Sequence, residues 1–155
     1  MLLMLEDNAE RVERFTATLH GITPSLSLRL WRNAWEMIRE LQPLLSAAQI
    51  ISLDHDLDPE EGATDDPGTG WDVAKYLAPL PPVCPIIVHT SNGERAEWMM
   101  GEFALGGWKC HRVPPLGDDW IERDWRRIVR RLLKKKFSGI AGDRGVTDSD
   151  ALSKE

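Results

Sequence analysis

Short apolar runs recur along the chain, and each is followed by a segment with helical spacing. The second run alternates apolar and polar residues, as a half-exposed edge strand does, whereas the others are nearly continuous, as buried parallel strands are. Five strand–helix units predict an α/β, flavodoxin-like, doubly wound parallel sheet of five strands in the order 2-1-3-4-5, with helices on both faces. The predicted strands span residues 2–5, 25–31, 49–53, 85–88 and 108–113.

The helical segments each show an apolar stripe. In the second helix the stripe is Trp35, Ile38 and Leu41, and Asn33 is its predicted cap. The last helix runs from a cap at Asp118 to about residue 136, and its stripe comprises Ile121, Trp125, Ile128 and Leu132. One folded domain over residues 1–137 is therefore predicted. The remainder, 138–155, has little to bury and is predicted to be a disordered tail.

Polar side chains follow the predicted strands. Because the carboxyl ends of parallel strands meet at one edge of a sheet, we expect these side chains to converge. Clustered carboxylates repel unless a cation lies among them, and oxygen ligands favour Mg²⁺ or Mn²⁺. Two alternatives stay open: acids that only cap the first helix, and Zn²⁺ held by three histidines. The residues are Glu6 and Asp7 after the first strand, Asp54, His55 and Asp56 after the third, His89, Thr90 and Ser91 after the fourth, and His111 and Arg112 on the fifth.

The acidic pair, the Asp that closes the third strand and the Thr/Ser that closes the fourth resemble a response-regulator receiver domain. The resemblance covers residues 1–136. It implies that Glu6, Asp7, Asp54 and Asp56 surround a metal ion, that Asp54 accepts a phosphoryl group, and that Thr90 contacts it. Arg112 stands where such domains carry a lysine before proline.

The segments LEDN, SLDHDL, TGWDVAKYL, IIVHTSN and RVPP are similar to the cyclic-phosphate-processing receiver family. Opening a cyclic phosphate needs a base and an acid, and imidazole suits both roles near neutral pH. The leading hypothesis is thus a metal-dependent phosphoesterase acting on cyclic phosphates of nucleotides or RNA ends. Its catalytic residues would be Asp54, His55 and His89, its phosphate ligands Thr90, Ser91 and Arg112, and its metal ligands Glu6, Asp7, Asp54 and Asp56. The alternatives are a phosphoacceptor receiver and a non-catalytic interaction module.

Charge and cysteine content add two expectations. The net charge of −6 does not favour nucleic acid, yet the last helix carries Arg126, Arg127, Arg130, Arg131, Lys134, Lys135 and Lys136. These form either a solvated face or a surface for an acidic or nucleic-acid partner. Two cysteines and the short apolar start indicate a reduced cytoplasmic protein without a membrane span.

Overall fold

Five parallel strands form the central sheet in the computed structural model, which describes residues 1–141, with residues 136–141 as backbone alone. Their order is β2-β1-β3-β4-β5, so the predicted fold and strand order are confirmed. The strands are β1 (Leu2–Leu5), β2 (Leu28–Trp31), β3 (Ile50–Leu53), β4 (Ile86–Val88) and β5 (Cys110–Arg112). The helices are α1 (Ala9–Ile22), α2 (Ala34–Leu41), α3 (Gly70–Leu77), α4 (Gly93–Leu105) and α5 (Arg126–Ala141), with a 3₁₀ segment at Gln42–Ala47 and a π-helical turn at Ile121–Trp125.

Each face of the sheet buries its own apolar layer, because successive strand side chains point to opposite faces. Leu3 and Leu5 of β1 pack on the side of α2, α3 and α4, where Phe103 is fully buried. Leu2 and Met4 pack on the other side, against Phe15 of α1 and the large indole of Trp125. No helix within residues 1–141 is both long and apolar enough to cross a membrane.

The buried stripe of the last helix differs from the prediction. Its buried residues are Ile121, Trp125, Val129 and Leu133, whereas Ile128 and Leu132 are only partly buried. The π-helical turn at Ile121–Trp125 is the cause, since its i→i+5 bonding is wider than an α-helical turn and shifts the residues that follow. The buried positions therefore lie four residues apart.

This shift can be tested with two leucines that are neighbours in sequence. Leu133→Ala is expected to lower the free energy of unfolding by about 2–3 kcal/mol, because it empties a buried position. Leu132→Ala is the matched control and should cost less than half as much, as its side chain is partly exposed. Urea denaturation measures both. Equal losses would contradict the shifted stripe.

The second helix and the ends of the last helix also differ from the prediction. The inner face of α2 consists of Ala34, Met37 and Leu41, and Trp35 is 41% exposed, so its predicted burial is wrong. The capping role expected of Asp118 is likewise wrong, since the last helix begins with its π-helical turn after Trp120. The helix α5 extends to Ala141, past the predicted domain boundary at 137; the rest of the predicted tail, 142–155, lies outside the described residues.

Helix starts collect at the carboxyl edge of the sheet. Side chains at four helix N-termini accept hydrogen bonds from backbone N–H groups of the first turn, which fixes where each helix begins. The caps are Asn8, Asn33, Thr69 and Asn92. Each follows a strand or the loop after one, so helix N-termini and strand carboxyl ends surround the same space.

Candidate functional site

An open cavity of ≈ 390 Å³ lies at this edge, outside the ends of β1 and β3. Six carboxylates and two guanidinium groups line it, together with polar and loop residues. Like charges at this density are stable only if cations neutralise part of them. The lining consists of Asp7, Asn8, Arg11, Arg32, Asp54, Asp56, Asp58, Pro59, Glu60, Glu61 and Ser91.

Arg11, from the first turn of α1, neutralises the deepest carboxylates. One of its nitrogens, Nη1, lies 3.2 Å from Asp54 Oδ2 and 3.7 Å from Glu6 Oε2. Its guanidinium also lies 5.7 Å from the ring centroid of Trp120, within cation–π range. The sequence analysis did not predict a role for Arg11 at the site. Its position could have indicated one, because Arg11 lies three residues after the Asn8 cap, on a helix that begins directly after the acidic pair.

Glu6 is fully buried and does not line the cavity. Its Oε1 accepts a hydrogen bond of 3.0 Å from the backbone N–H of Asn8, and its Oε2 lies 3.2 Å from His89 Nε2. Burial favours a higher pKa for Glu6, but the hydrogen bond and charge interaction with His89 bring it below its ordinary value. Glu6 is therefore a structural anion at the floor of the site.

His89 is also fully buried and is held at both ring nitrogens. Its Nδ1 lies 2.9 Å from Ser52 Oγ, which in turn accepts a 3.0 Å hydrogen bond from Trp125 Nε1. An indole N–H can only donate, so Ser52 Oγ accepts from Trp125 and is also hydrogen-bonded to Nδ1 of His89. On the other side of the ring, Nε2 is hydrogen-bonded to Glu6. The structure thus places the predicted catalytic His89 away from the cavity, inside a continuous buried hydrogen-bond chain.

His55, the other predicted catalytic histidine, is nearly buried and does not line the cavity. Its Nδ1 lies 2.8 Å from Asp56 Oδ1. An ionised carboxylate only accepts, so His55 donates this hydrogen bond and orients Asp56, whose own side chain is exposed on the cavity wall. The adjacent loop is fixed in a similar way, because Asp7 Oδ2 accepts a 2.6 Å hydrogen bond from the Asp58 backbone N–H.

The carboxyl groups of Asp54 and Asp7 are harder to ionise than usual. Asp54 is 4% exposed, and burial raises its pKa to about 6, with a further rise from Glu6 against the lowering effects of His89, the His55 backbone N–H and Arg11. Burial also raises the pKa of Asp7 above its ordinary value, and the Glu6 charge adds to this. Burial is thus the main cause of the raised pKa at both carboxyl groups.

Of the three predicted phosphate ligands, only one lines the cavity. Ser91 lines the cavity, whereas Thr90 is buried and its Oγ1 accepts a 3.2 Å hydrogen bond from the Asn92 backbone N–H. Arg112 does not line the cavity, because its Nη1 points to the Gly93 carbonyl at 3.4 Å. Arg32, which follows β2, lines the cavity instead.

The carboxylates fit a divalent cation. Asp7, Asp54 and Asp56 line one cavity and offer the hard oxygen ligands that Mg²⁺ and Mn²⁺ bind. Deeper in, Glu6, Asp54 and His89 each present one ligand atom within 4.8 Å of the others. In that inner group His89 already has both nitrogens bonded, so the outer set is the more accessible one.

Gly70 fixes the backbone beneath this set. A Cβ at residue 70 would lie 2.0 Å from the Asp54 carbonyl oxygen, and the Gly70 N–H donates a 3.0 Å hydrogen bond to the His55 carbonyl. The start of α3 is therefore packed directly on the backbone of Asp54 and His55. Only glycine allows so close an approach.

The fold and the acidic edge define a response-regulator receiver domain. Solved structures with this fold include a receiver domain from Rhodospirillum rubrum, with a TM-score of 0.61 and 16% sequence identity over 89% of this chain and 93% of that one. Another is the RcsB receiver domain of Salmonella enterica with the phosphomimetic BeF₃⁻, with a TM-score of 0.61 and 18% identity over 86% of this chain and 87% of that one. The Mn²⁺-bound form of response regulator Rcp1 is also similar, with a TM-score of 0.56 and 16% identity over 84% of this chain and 89% of that one.

A sequence model described as "Cyclic-phosphate processing Receiver domain" matches residues 1–104. The chain belongs to this family, as its motifs predicted. No curated protein matches the chain in sequence.

Proposed function

We propose that this domain binds Mg²⁺ or Mn²⁺ at Asp7, Asp54 and Asp56 and hydrolyses a cyclic phosphate, of a nucleotide or of an RNA end. One observation carries the proposal: these three carboxylates share a single open cavity of ≈ 390 Å³ with three further carboxylates and two arginines. The solved structure of the similar regulator Rcp1 with Mn²⁺ supports this choice of ion.

The bound ion would offset charge on the phosphoryl oxygens, which the surrounding carboxylates would otherwise repel. Arg11 and Arg32 supply further positive charge from the cavity wall, and Ser91 offers a hydroxyl. An O–P bond to water would form while one ring P–O bond breaks, and the proton that the water loses would end on the leaving oxygen, so that a phosphomonoester results.

His55 and His89 act through carboxylates in this proposal, in place of the acid–base roles that the sequence suggested. His55 orients Asp56, and His89 orients Glu6, with which Arg11 also interacts. Partners of this kind hold ligands in one geometry and thereby raise metal affinity. They are positioning residues.

A second candidate is phosphoryl transfer to Asp54, because its carboxylate lines the cavity beside Asp7 and Asp56. Both Asp54 oxygens are already engaged, Oδ1 by the His55 backbone N–H at 2.7 Å and Oδ2 by Arg11 at 3.2 Å. The cation on β5 also points elsewhere, as described for Arg112. We therefore rank this candidate second.

Turnover of a 2′,3′-cyclic nucleotide and of an RNA ending in that group, with Mg²⁺, Mn²⁺ or chelator, tests the proposal. Turnover should require the metal and fall at least about 100-fold in Asp54→Ala, in line with the loss of a metal ligand. Two arginines at the carboxyl ends of β2 and β5 provide a matched pair. Arg32→Met should reduce turnover, and Arg112→Met, outside the cavity, should leave it unchanged.

Two outcomes would decide against hydrolysis. If no substrate is turned over faster than by Asp54→Ala, and acetyl phosphate adds one phosphoryl group that requires Asp54, the second candidate replaces it. If neither reaction occurs and Asp54→Ala keeps its function in the cell, the domain is a non-catalytic interaction module. Mass spectrometry of the intact chain distinguishes these cases.

A further inference from the structure

The outward face of α5 carries a regular array of cations, which we call the basic ladder: Arg126, Arg127, Arg130, Arg131, Lys134 and Lys135. All six side chains are exposed and line one open groove of ≈ 670 Å³. Each pair follows a buried residue, namely Trp125, Val129 or Leu133. The array thus has the same four-residue spacing as these buried positions.

This spacing gives the ladder a repeat along the helix axis. Four residues at about 1.5 Å each make a step of about 6 Å between successive pairs. A step of this size is comparable to the separation of consecutive phosphates along an extended nucleic-acid strand. Four of the six cations are arginines, whose planar fork binds two phosphate oxygens at once.

Carboxylates neutralise little of this charge. Among the described residues, Arg127 pairs with Asp124 at 3.3 Å, and Glu122 at the start of the groove is engaged by Arg14 at 2.7 Å. No ion pair within that part of the chain involves Arg126, Arg130, Arg131 or Lys135.

A neighbouring group responds to the resulting potential. The pKa of His111 on β5 is lowered by burial and then by the charges of Arg131 and Lys135. A positive surface of this extent on a chain of net charge −6 is a local feature, because the chain as a whole is acidic.

We propose that the basic ladder binds the phosphodiester backbone of a nucleic acid. An acidic protein fits less well, because stable protein interfaces have an apolar or aromatic centre. The exposed large apolar side chains of the described residues all lie off the ladder, at Trp35, Val83, Trp98, Leu105 and Leu116. The inference does not rest on hydrolysis in the cavity, whose lining includes no residue of the last helix.

Fluorescence anisotropy of the full chain tests this proposal. The labelled ligands are a 15-nucleotide RNA, a DNA of the same sequence and the duplex form of each, and the salt concentration is varied from 50 to 300 mM. Binding should weaken with a log–log slope of about −0.7 per phosphate neutralised on single strands. Arg126→Glu/Arg130→Glu should weaken binding at least tenfold at 50 mM and make the slope shallower by about 1.4. Arg39→Glu/Lys75→Glu, with the same change of net charge at exposed positions of α2 and α3, should leave binding within twofold of the unchanged chain.

Equal affinity for RNA and DNA would identify the shared backbone as the ligand, and a preference for RNA would add its 2′-hydroxyl to the recognised chemistry. The proposal is overturned if no arm binds at 50 mM salt, if the ladder variant binds as tightly as the control variant, or if poly-aspartate of equal charge displaces the RNA as well as unlabelled RNA does. Circular dichroism and thermal melts verify that both double variants are folded. Turnover of the cyclic phosphate is measured on the same two double variants, so loss of hydrolysis and loss of binding are separate results.

Discussion

Gly70→Ala is expected to lower the free energy of unfolding by about 3 kcal/mol or more, because a Cβ would overlap backbone that cannot move aside cheaply. The new carbon would lie 2.0 Å from the Asp54 carbonyl oxygen and 2.9 Å from His55 Cα. Either α3 must shift, or the backbone between these two residues must. Both movements displace Asp54 in the cavity, so Mg²⁺ affinity should fall together with stability.

Gly101→Ala is the control for this prediction. Gly101 lies inside α4, and a Cβ added there would meet nothing within 4 Å, so alanine should raise stability by up to about 1 kcal/mol through helix propensity. Chemical denaturation and a metal titration by calorimetry give both quantities. A Gly70→Ala protein with unchanged stability and unchanged metal affinity would refute the close contact between α3 and the Asp54 backbone.

Asp54→Asn is expected to stabilise the metal-free protein near neutral pH while removing its response to Mg²⁺. The pKa of Asp54 is raised from 3.8 to about 6 by burial, so the folded state holds this proton more tightly than the unfolded state. The stability that Asp54 contributes is complete below pH 3.8 and is lost as the pH rises through about 6. At about 1.4 kcal/mol per pKa unit, an uncharged amide should recover up to about 3 kcal/mol above that pH.

Thermal melts over pH 4–8, with chelator and with Mg²⁺, measure this. The melting temperature of Asp54→Asn should exceed that of the unchanged protein by a margin that grows with pH in chelator. Mg²⁺ should reverse this difference, because it is expected to stabilise only the protein that keeps the carboxylate. Asp58→Asn removes an exposed carboxylate from the same cavity and should leave metal-free stability unchanged. A variant less stable than the unchanged protein at pH 7 in chelator would contradict the prediction. Glu6, whose lowered pKa makes stability fall at acid pH, affects all these proteins alike.

The sequence predicted the strands and the acidic edge of the sheet correctly, because the pattern of apolar and polar residues there is typical of only one kind of strand. Continuous apolar runs predicted the buried strands, and the alternating run predicted β2 at the edge of the sheet. The acidic residues after two of these runs had to reach the same edge, which is why Asp7, Asp54 and Asp56 were expected together and are found together on the cavity wall. Strand order alone was sufficient for that inference.

Side-chain direction was not available from the sequence in the same way. His55 and His89 follow strands as the carboxylates do, but neither lines the cavity: His89 is hydrogen-bonded to Ser52 and Glu6 in the interior, and His55 to Asp56 from behind the cavity wall. Arg11 was missed for the converse reason. A long side chain on a helix surface can reach in several directions, and only the packed structure shows that its charge ends beside Asp54.

The buried hydrogen-bond chain from Trp125 through Ser52 and His89 to Glu6 runs along one face of the sheet, from the last helix to the floor of the site. A rotation of the last helix that withdrew the indole would break its hydrogen bond with Ser52 and leave the buried indole N–H without a partner, at a cost of about 1–3 kcal/mol. The helix and the floor of the cavity are therefore expected to move as one rigid body. Exchange of the Trp125 indole proton with solvent should accordingly be as slow as that of the amides in the centre of the sheet.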